Sequence, residues 1–97
     1  MTFENIMELF KEYFEIDKNI EVMKLKHGYY IFVWDDKKQA YYSNKQLIQS
    51  PQRLFDELYS EAEVYYKTLL NNTTDDNIKS FVYDKLNMLK QKFHALK

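Results

Sequence analysis

No cysteine occurs in this sequence, which excludes disulfides and thiolate metal sites and makes a reducing compartment the natural setting. Glycine and proline occur once each, as Gly28 and Pro51. A single glycine rules out the glycine-rich loops that cradle phosphates. So few backbone punctuators also mean a chain of regular elements with few special turns. The two histidines, His27 and His94, have no second histidine or carboxylate at ligand spacing, so no metal or other cofactor is expected. The longest apolar run is six residues, far short of the ~20 that span a bilayer, so no membrane insertion is expected. Met1-Thr2-Phe3-Glu4 lacks the basic start and apolar run of a signal peptide, and a cytoplasmic location is the expectation.

Strong charge of either sign is also missing. The net charge is −1, so nothing global pulls the chain toward nucleic acid or an anionic surface. The distribution is mildly uneven, acidic over residues 1–19 and basic over residues 71–97. What the chain has instead is tyrosine, nine of them, with lysine, asparagine and isoleucine also heavily used. That bias fits an AT-rich genome, such as a low-GC Gram-positive bacterium or its phages.

Ninety-seven residues make one domain, residues 1–97, which buries roughly 60–65% of its unfolded surface. The stretch around which it is organised is Tyr29-Tyr30-Ile31-Phe32-Val33-Trp34, β-branched and aromatic throughout. Such residues favour a strand, and the lack of alternation means that both faces meet apolar groups. This is expected to be the central strand of a small sheet. Ile20 to Lys26 precedes it, with His27-Gly28 as a two-residue turn that pairs Leu25 with Tyr30, Met23 with Phe32 and Val22 with Val33. Gln39 to Tyr42 follows, with Trp34 opposite Gln39, Phe32 opposite Tyr41 and Ile31 opposite Tyr42. One face then carries Met23, Leu25, Tyr30, Phe32, Trp34 and Tyr41, and the other Ile20, Val22, Ile31, Val33, Ala40 and Tyr42. Either helices cover both faces or one is left open for a partner. Trp34 is expected to belong to the core, because large exposed aromatic patches are rare on soluble monomers.

Helical spacing frames the sheet. Phe3, Ile6, Met7, Phe10, Tyr13 and Phe14 form one apolar stripe behind an N-capping Thr2, in a helix that ends near Asp17. Asn44 to Gln49 is expected to make a short helical turn. Ser50-Pro51 reads as an N-cap followed by proline at the first helical position, opening a helix to about Leu70. After the polar break Asn71–Thr74, Thr74 or Asp75 caps a last helix whose seam is Ile78, Val82, Leu86 or Lys85, Leu89, Phe93 and Leu96. The expected class is α+β: an N-terminal helix, a three-stranded antiparallel meander and a C-terminal helical hairpin, in the order α-β-β-β-α-α. A double-stranded RNA-binding domain shares the first five of these in order. However, Pro51–Glu57 holds one arginine and then two acids where that module needs a basic helix start, so no resemblance is drawn.

Catalytic chemistry finds no nominees. The adjacent acids Asp35-Asp36, Asp56-Glu57 and Asp75-Asp76 sit in a turn, on a wet helix face and at a helix start, each an ordinary structural position. No nucleophile-elbow pattern surrounds a serine. The expectation is a non-enzymatic protein-interaction module, such as a phage or mobile-element inhibitor or adaptor acting on a host protein. The surface expected to bind is Tyr30, Phe32, Trp34 and Tyr41 with Lys37 and Lys38 beside them. The alternative is nucleic-acid binding by Lys24 and Lys26 with the sheet aromatics, or by Lys85, Lys90 and Lys92 of the last helix. A symmetric homodimer is also expected, through the last helix or an uncovered sheet face.

Overall fold

A computed structural model describes residues 1–43 and 46–97. The element order is α1 (Phe3–Leu9), α2 (Lys11–Ile16), β1 (Ile20–Leu25), β2 (Gly28–Asp35), β3 (Ala40–Tyr42), α3 (Pro51–Asn71) and α4 (Asp76–Leu96). The fold is α+β, with one antiparallel sheet in the order β1-β2-β3.

The helix starts follow their capping residues. Thr2 accepts the Asn5 N–H and Asn5 reaches back to the Thr2 N–H, closing a capping box. Ser50 accepts the Arg53 N–H ahead of Pro51, and Asp75 accepts the Asn77 N–H. The N-terminal helix is not single, because the backbone leaves helical geometry at the fully buried Phe10. The break redirects the apolar stripe. Before it, Phe3 packs on Tyr29 of the sheet at 4.7 Å between ring centroids. From it onward, Phe10 meets Phe55 of α3 and Tyr13 meets Tyr66. The α1–α2 pair therefore touches the sheet on one side and the helical hairpin on the other.

Both hairpin registers differ from the expected ones by two residues. In the structure Met23 opposes Tyr30, Val22 opposes Ile31 and Leu25 opposes Gly28, so the turn is Lys26-His27. Across the other hairpin Trp34 opposes Tyr41, Val33 opposes Tyr42 and Asp35 opposes Ala40. Gly28 is thus a strand residue. Its φ of +154° and the carbonyl of Ile48, which would lie 2.4 Å from a Cβ, explain why it is glycine. The second turn is closed by Asp35, whose carboxylate accepts the N–H groups of Lys37 and Lys38, and by Gln39 at φ 51°. A slip of two leaves every side chain on its expected face, because the strand period is two.

The expected helical turn over Asn44–Gln49 is not formed where the chain is described. Asn44 and Lys45 lie outside the described residues. Beyond them Ile48 bridges Tyr29, accepting its N–H at 2.9 Å and donating in return at 2.8 Å. The bridge buries Ile48 completely.

One core joins every element except β3: Ile6, Phe10 and Tyr13, the sheet residues Ile20, Tyr29 and Ile31, Ile48, and the inner faces of α3 and α4. Val82, Leu86, Leu89 and Phe93 of the α4 seam are buried within the chain, while Ile78 is exposed. The middle of the seam, Val82 to Phe93, is therefore packed inside one copy, and its first residue is not. Trp34 is not part of this core. It is only half-buried, on the sheet face that no helix covers, and the expectation that it is a core residue is corrected.

Two core tyrosines carry a pH prediction. Burial, a 2.6 Å hydrogen bond to Asp17 and nearby negative charge hold the Tyr13 hydroxyl far above the ordinary phenol range. Burial and Glu12 push Tyr66 up to about 12. A tyrosine that keeps its proton longer in the folded chain adds stability that is complete below about pH 10 and is lost as pH rises through the folded value. Urea midpoints should be flat up to about pH 10 and then fall steadily. Tyr13→Phe and Tyr66→Phe should each make that fall shallower. An unchanged alkaline slope in both variants would contradict the assignment.

Candidate functional site: the open face of the sheet

The alternation of the strands puts Glu21, Met23 and Leu25 of β1, Tyr30, Phe32 and Trp34 of β2, and Tyr41 of β3 on the face turned away from the helices. Met23 is 50%, Leu25 40% and Tyr41 50% exposed, and Tyr30, Phe32 and Trp34 are half-buried. The aromatics form one chain of ring contacts across the face. Tyr30 and Phe32 are 5.9 Å apart, Phe32 and Tyr41 6.5 Å, and Trp34 and Tyr41 4.9 Å, the last two edge-on.

Tyr41 ties this face together. Its ring crosses β2 over Phe32, and its hydroxyl donates to the Glu21 carboxylate on β1 at 2.6 Å. One side chain therefore spans all three strands and partly shields Phe32 and Trp34. The hydrogen bond to Glu21 holds the Tyr41 hydroxyl above the usual phenol range. Glu21 in turn has its charge satisfied at the edge of the patch. Sequence reasoning did not single out Glu21, although strand parity alone places it beside Met23 on this face.

The sequence-nominated lysines are not gathered into one surface. Lys37 and Lys38 sit exposed in the turn next to Trp34, as expected for the rim of the face. Lys26 is in the opposite turn. Lys24 pairs with Tyr29 and so belongs to the other face, where its ammonium lies 3.8 Å from Glu4. Lys85 forms an ion pair with Glu12 and lies over the Phe81 ring. Lys90 lies 5.3 Å over Tyr59. Lys92 borders a cleft of about 220 Å³ between the N-terminal helices and α4, facing Glu8, Glu12 and Glu15. The helical lysines are thus interleaved with acids and aromatics of their own chain.

Neither histidine is placed for chemistry by its neighbours. His27 is an exposed turn residue whose carbonyl accepts from Gln49, and His94 is exposed near the end of α4. Among the described residues no cluster of three or more His, Asp or Glu could hold a metal ion. Among them, too, no helix is long and apolar enough to cross a membrane.

No family model, curated protein or solved structure matches this chain.

Proposed function

We propose that this chain is a small protein-interaction module with no catalysis of its own, which engages a protein partner through the open sheet face. The observation that supports this reading is the continuous patch of Met23, Leu25, Tyr30, Phe32, Trp34 and Tyr41 across three strands. Contiguous apolar surface of this kind is uncommon on monomers and marks places where another molecule sits. Aromatic rings across a patch, with Phe32 at its middle, Trp34 toward one end and charged turns at the rim, also follow the usual make-up of a binding surface. An inhibitor or adaptor of phage or mobile-element origin, working in the cytoplasm of a low-GC Gram-positive host, is the form we favour from composition.

The test is comparative. Trp34→Ala should change stability by only about 1–2 kcal/mol, because the indole is half-buried. It should nevertheless weaken partner capture by about 30-fold or more, as loss of an aromatic anchor does. Pull-downs from a low-GC Gram-positive lysate with wild-type and Trp34→Ala bait measure this, with thermal melts as the control. A partner retained equally by both baits, or none retained by either, would count against the reading.

Nucleic-acid binding is the weaker proposal, since Lys24, Lys26, Lys85, Lys90 and Lys92 point to different parts of the molecule and several are already paired. It requires a gel shift at low salt that disappears as salt rises.

A further inference from the structure

Tyr66 of α3 lines the cleft of about 220 Å³ between the N-terminal helices and α4. The residue is only 1% exposed, yet its hydroxyl has no hydrogen-bond partner among the described residues. The neighbouring tyrosines do have partners: Tyr13 donates to Asp17 and Tyr65 to the Ile16 carbonyl. Among the described residues no polar side-chain atom is both sealed from solvent and unpartnered, so the Tyr66 hydroxyl opens on the cleft that the residue lines. Buried polar groups nearly always find a partner, and an unfilled one in the floor of a cleft marks a place for a ligand atom. We infer that this cleft binds a small zwitterion carrying both an amine and a carboxylate, of the class of the free α-amino acids. The cleft is built by helices alone, apart from the open sheet face, so this ligand is additional to the proposed protein partner.

The charges around the cleft select the ligand. Both signs are present in equal number. Lys85 of α4 and Glu12 of α2 pair with each other across it. Lys11, Lys92, Glu8 and Glu15 line the same cleft and have no ion-pair partner among the described residues. A ligand of one sign would meet as much repulsion as attraction there. One that carries both signs can turn its ammonium to the glutamates and its carboxylate to the lysines, while the Tyr66 hydroxyl donates to that carboxylate. Burial and the charge of Glu12 keep this hydroxyl protonated, the form that donates.

Size and lining narrow the class further. The cleft is smaller than the about 300–1,000 Å³ of sites for drug-sized molecules, which limits its ligand to a small metabolite. Leu9, Met88 and Leu89 give it an apolar wall, which favours an amino acid with an apolar side chain. A metal ion does not fit the acids, since among the described residues no three His, Asp or Glu are grouped to hold one.

The experiment is amide chemical-shift titration of the full chain with each common amino acid. Saturation at about millimolar concentrations or below is expected for one or more with apolar side chains. The shifts should centre on Leu9, Glu12, Tyr66 and Leu89 and leave Phe32 of the sheet unmoved. For the tightest ligand, the analogue without its carboxylate and the analogue without its amine should each bind about tenfold or more weakly. Tyr66→Phe should weaken binding by about tenfold or more, and it should fold as wild type because the hydroxyl has no partner in the chain to lose. Lys92→Gln, at the exposed rim, should weaken binding by about threefold and keeps the test valid should Tyr66→Phe fold poorly. Saturation by no amino acid overturns the inference. So does a singly charged analogue that binds as tightly as the amino acid, or binding unchanged in both variants. None of these results bears on capture of a protein through Trp34, which the pull-down tests separately.

Discussion

Phe55→Ala is expected to remove a large share of the stability of this domain. Phe55 is the ring on which three helices meet: it stacks on Phe93 of α4 at 3.7 Å between centroids, touches Tyr59 one turn along α3, and lies 5.6 Å from Phe10 at the break between α1 and α2. Truncating a buried phenylalanine leaves a void that surrounding side chains fill only in part, at about 3–5 kcal/mol. A domain of this length has roughly 5–15 kcal/mol in total. The urea midpoint should therefore drop by about a fifth or more, or the variant should be unfolded before urea is added. Phe93→Ala should behave similarly, and the double variant should lose less than the sum of the two because each ring supports the other. A strictly additive double variant would show that the two rings are packed independently.

Gly28→Ala is expected to be nearly as damaging, although only one methyl group is added. An alanine there would need a φ that L-residues rarely adopt, which costs about 1–3 kcal/mol. Its Cβ would also sit 2.4 Å from the Ile48 carbonyl oxygen, a backbone atom that cannot swing aside as a side chain could. Displacing that carbonyl breaks the two hydrogen bonds between Tyr29 and Ile48, each worth about 1 kcal/mol, and draws the buried Ile48 away from the core. Together these amount to about 3–5 kcal/mol, or a fall in melting midpoint of about 12–40 °C. Hydrogen exchange should localise the damage, with the Tyr29 and Ile48 amides losing protection first. A variant that melts within a few degrees of wild type would mean that the Ile48 segment can shift freely.

These two positions differ in how far they could be read from the chain itself. Phe55 lies on a helical stripe that begins behind Ser50-Pro51, and its burial follows from spacing alone. The stacking partner Phe93 does not, because spacing along one helix says nothing about which residue of another will face it. Gly28 invited a turn, since glycine before an aromatic run is the usual hairpin signal. The actual reason for glycine is the approach of Ile48, twenty residues later, which no local pattern announces. The kink at Phe10 has the same character: the stripe from Phe3 to Phe14 is continuous in sequence, and nothing in its spacing marks the residue at which the helix breaks.

Residue type, helical period and strand parity by themselves determined the α+β class, the order of helix, sheet and helical hairpin, the capping residues and which residues share each face of the sheet, but not the break that makes two helices of the first. They could do so because side-chain direction repeats every two residues in a strand and every 3.6 in a helix, so an error of two in register does not move a side chain to the other face. Only the tertiary structure decided which of the two apolar faces would be covered. Both faces are rich enough in apolar groups to form a core, but the core cluster draws on only one of them, through Ile20, Tyr29 and Ile31. Trp34 stays outside the core for that reason: its neighbours in sequence qualify it for burial, and the placement of the helices leaves its face open.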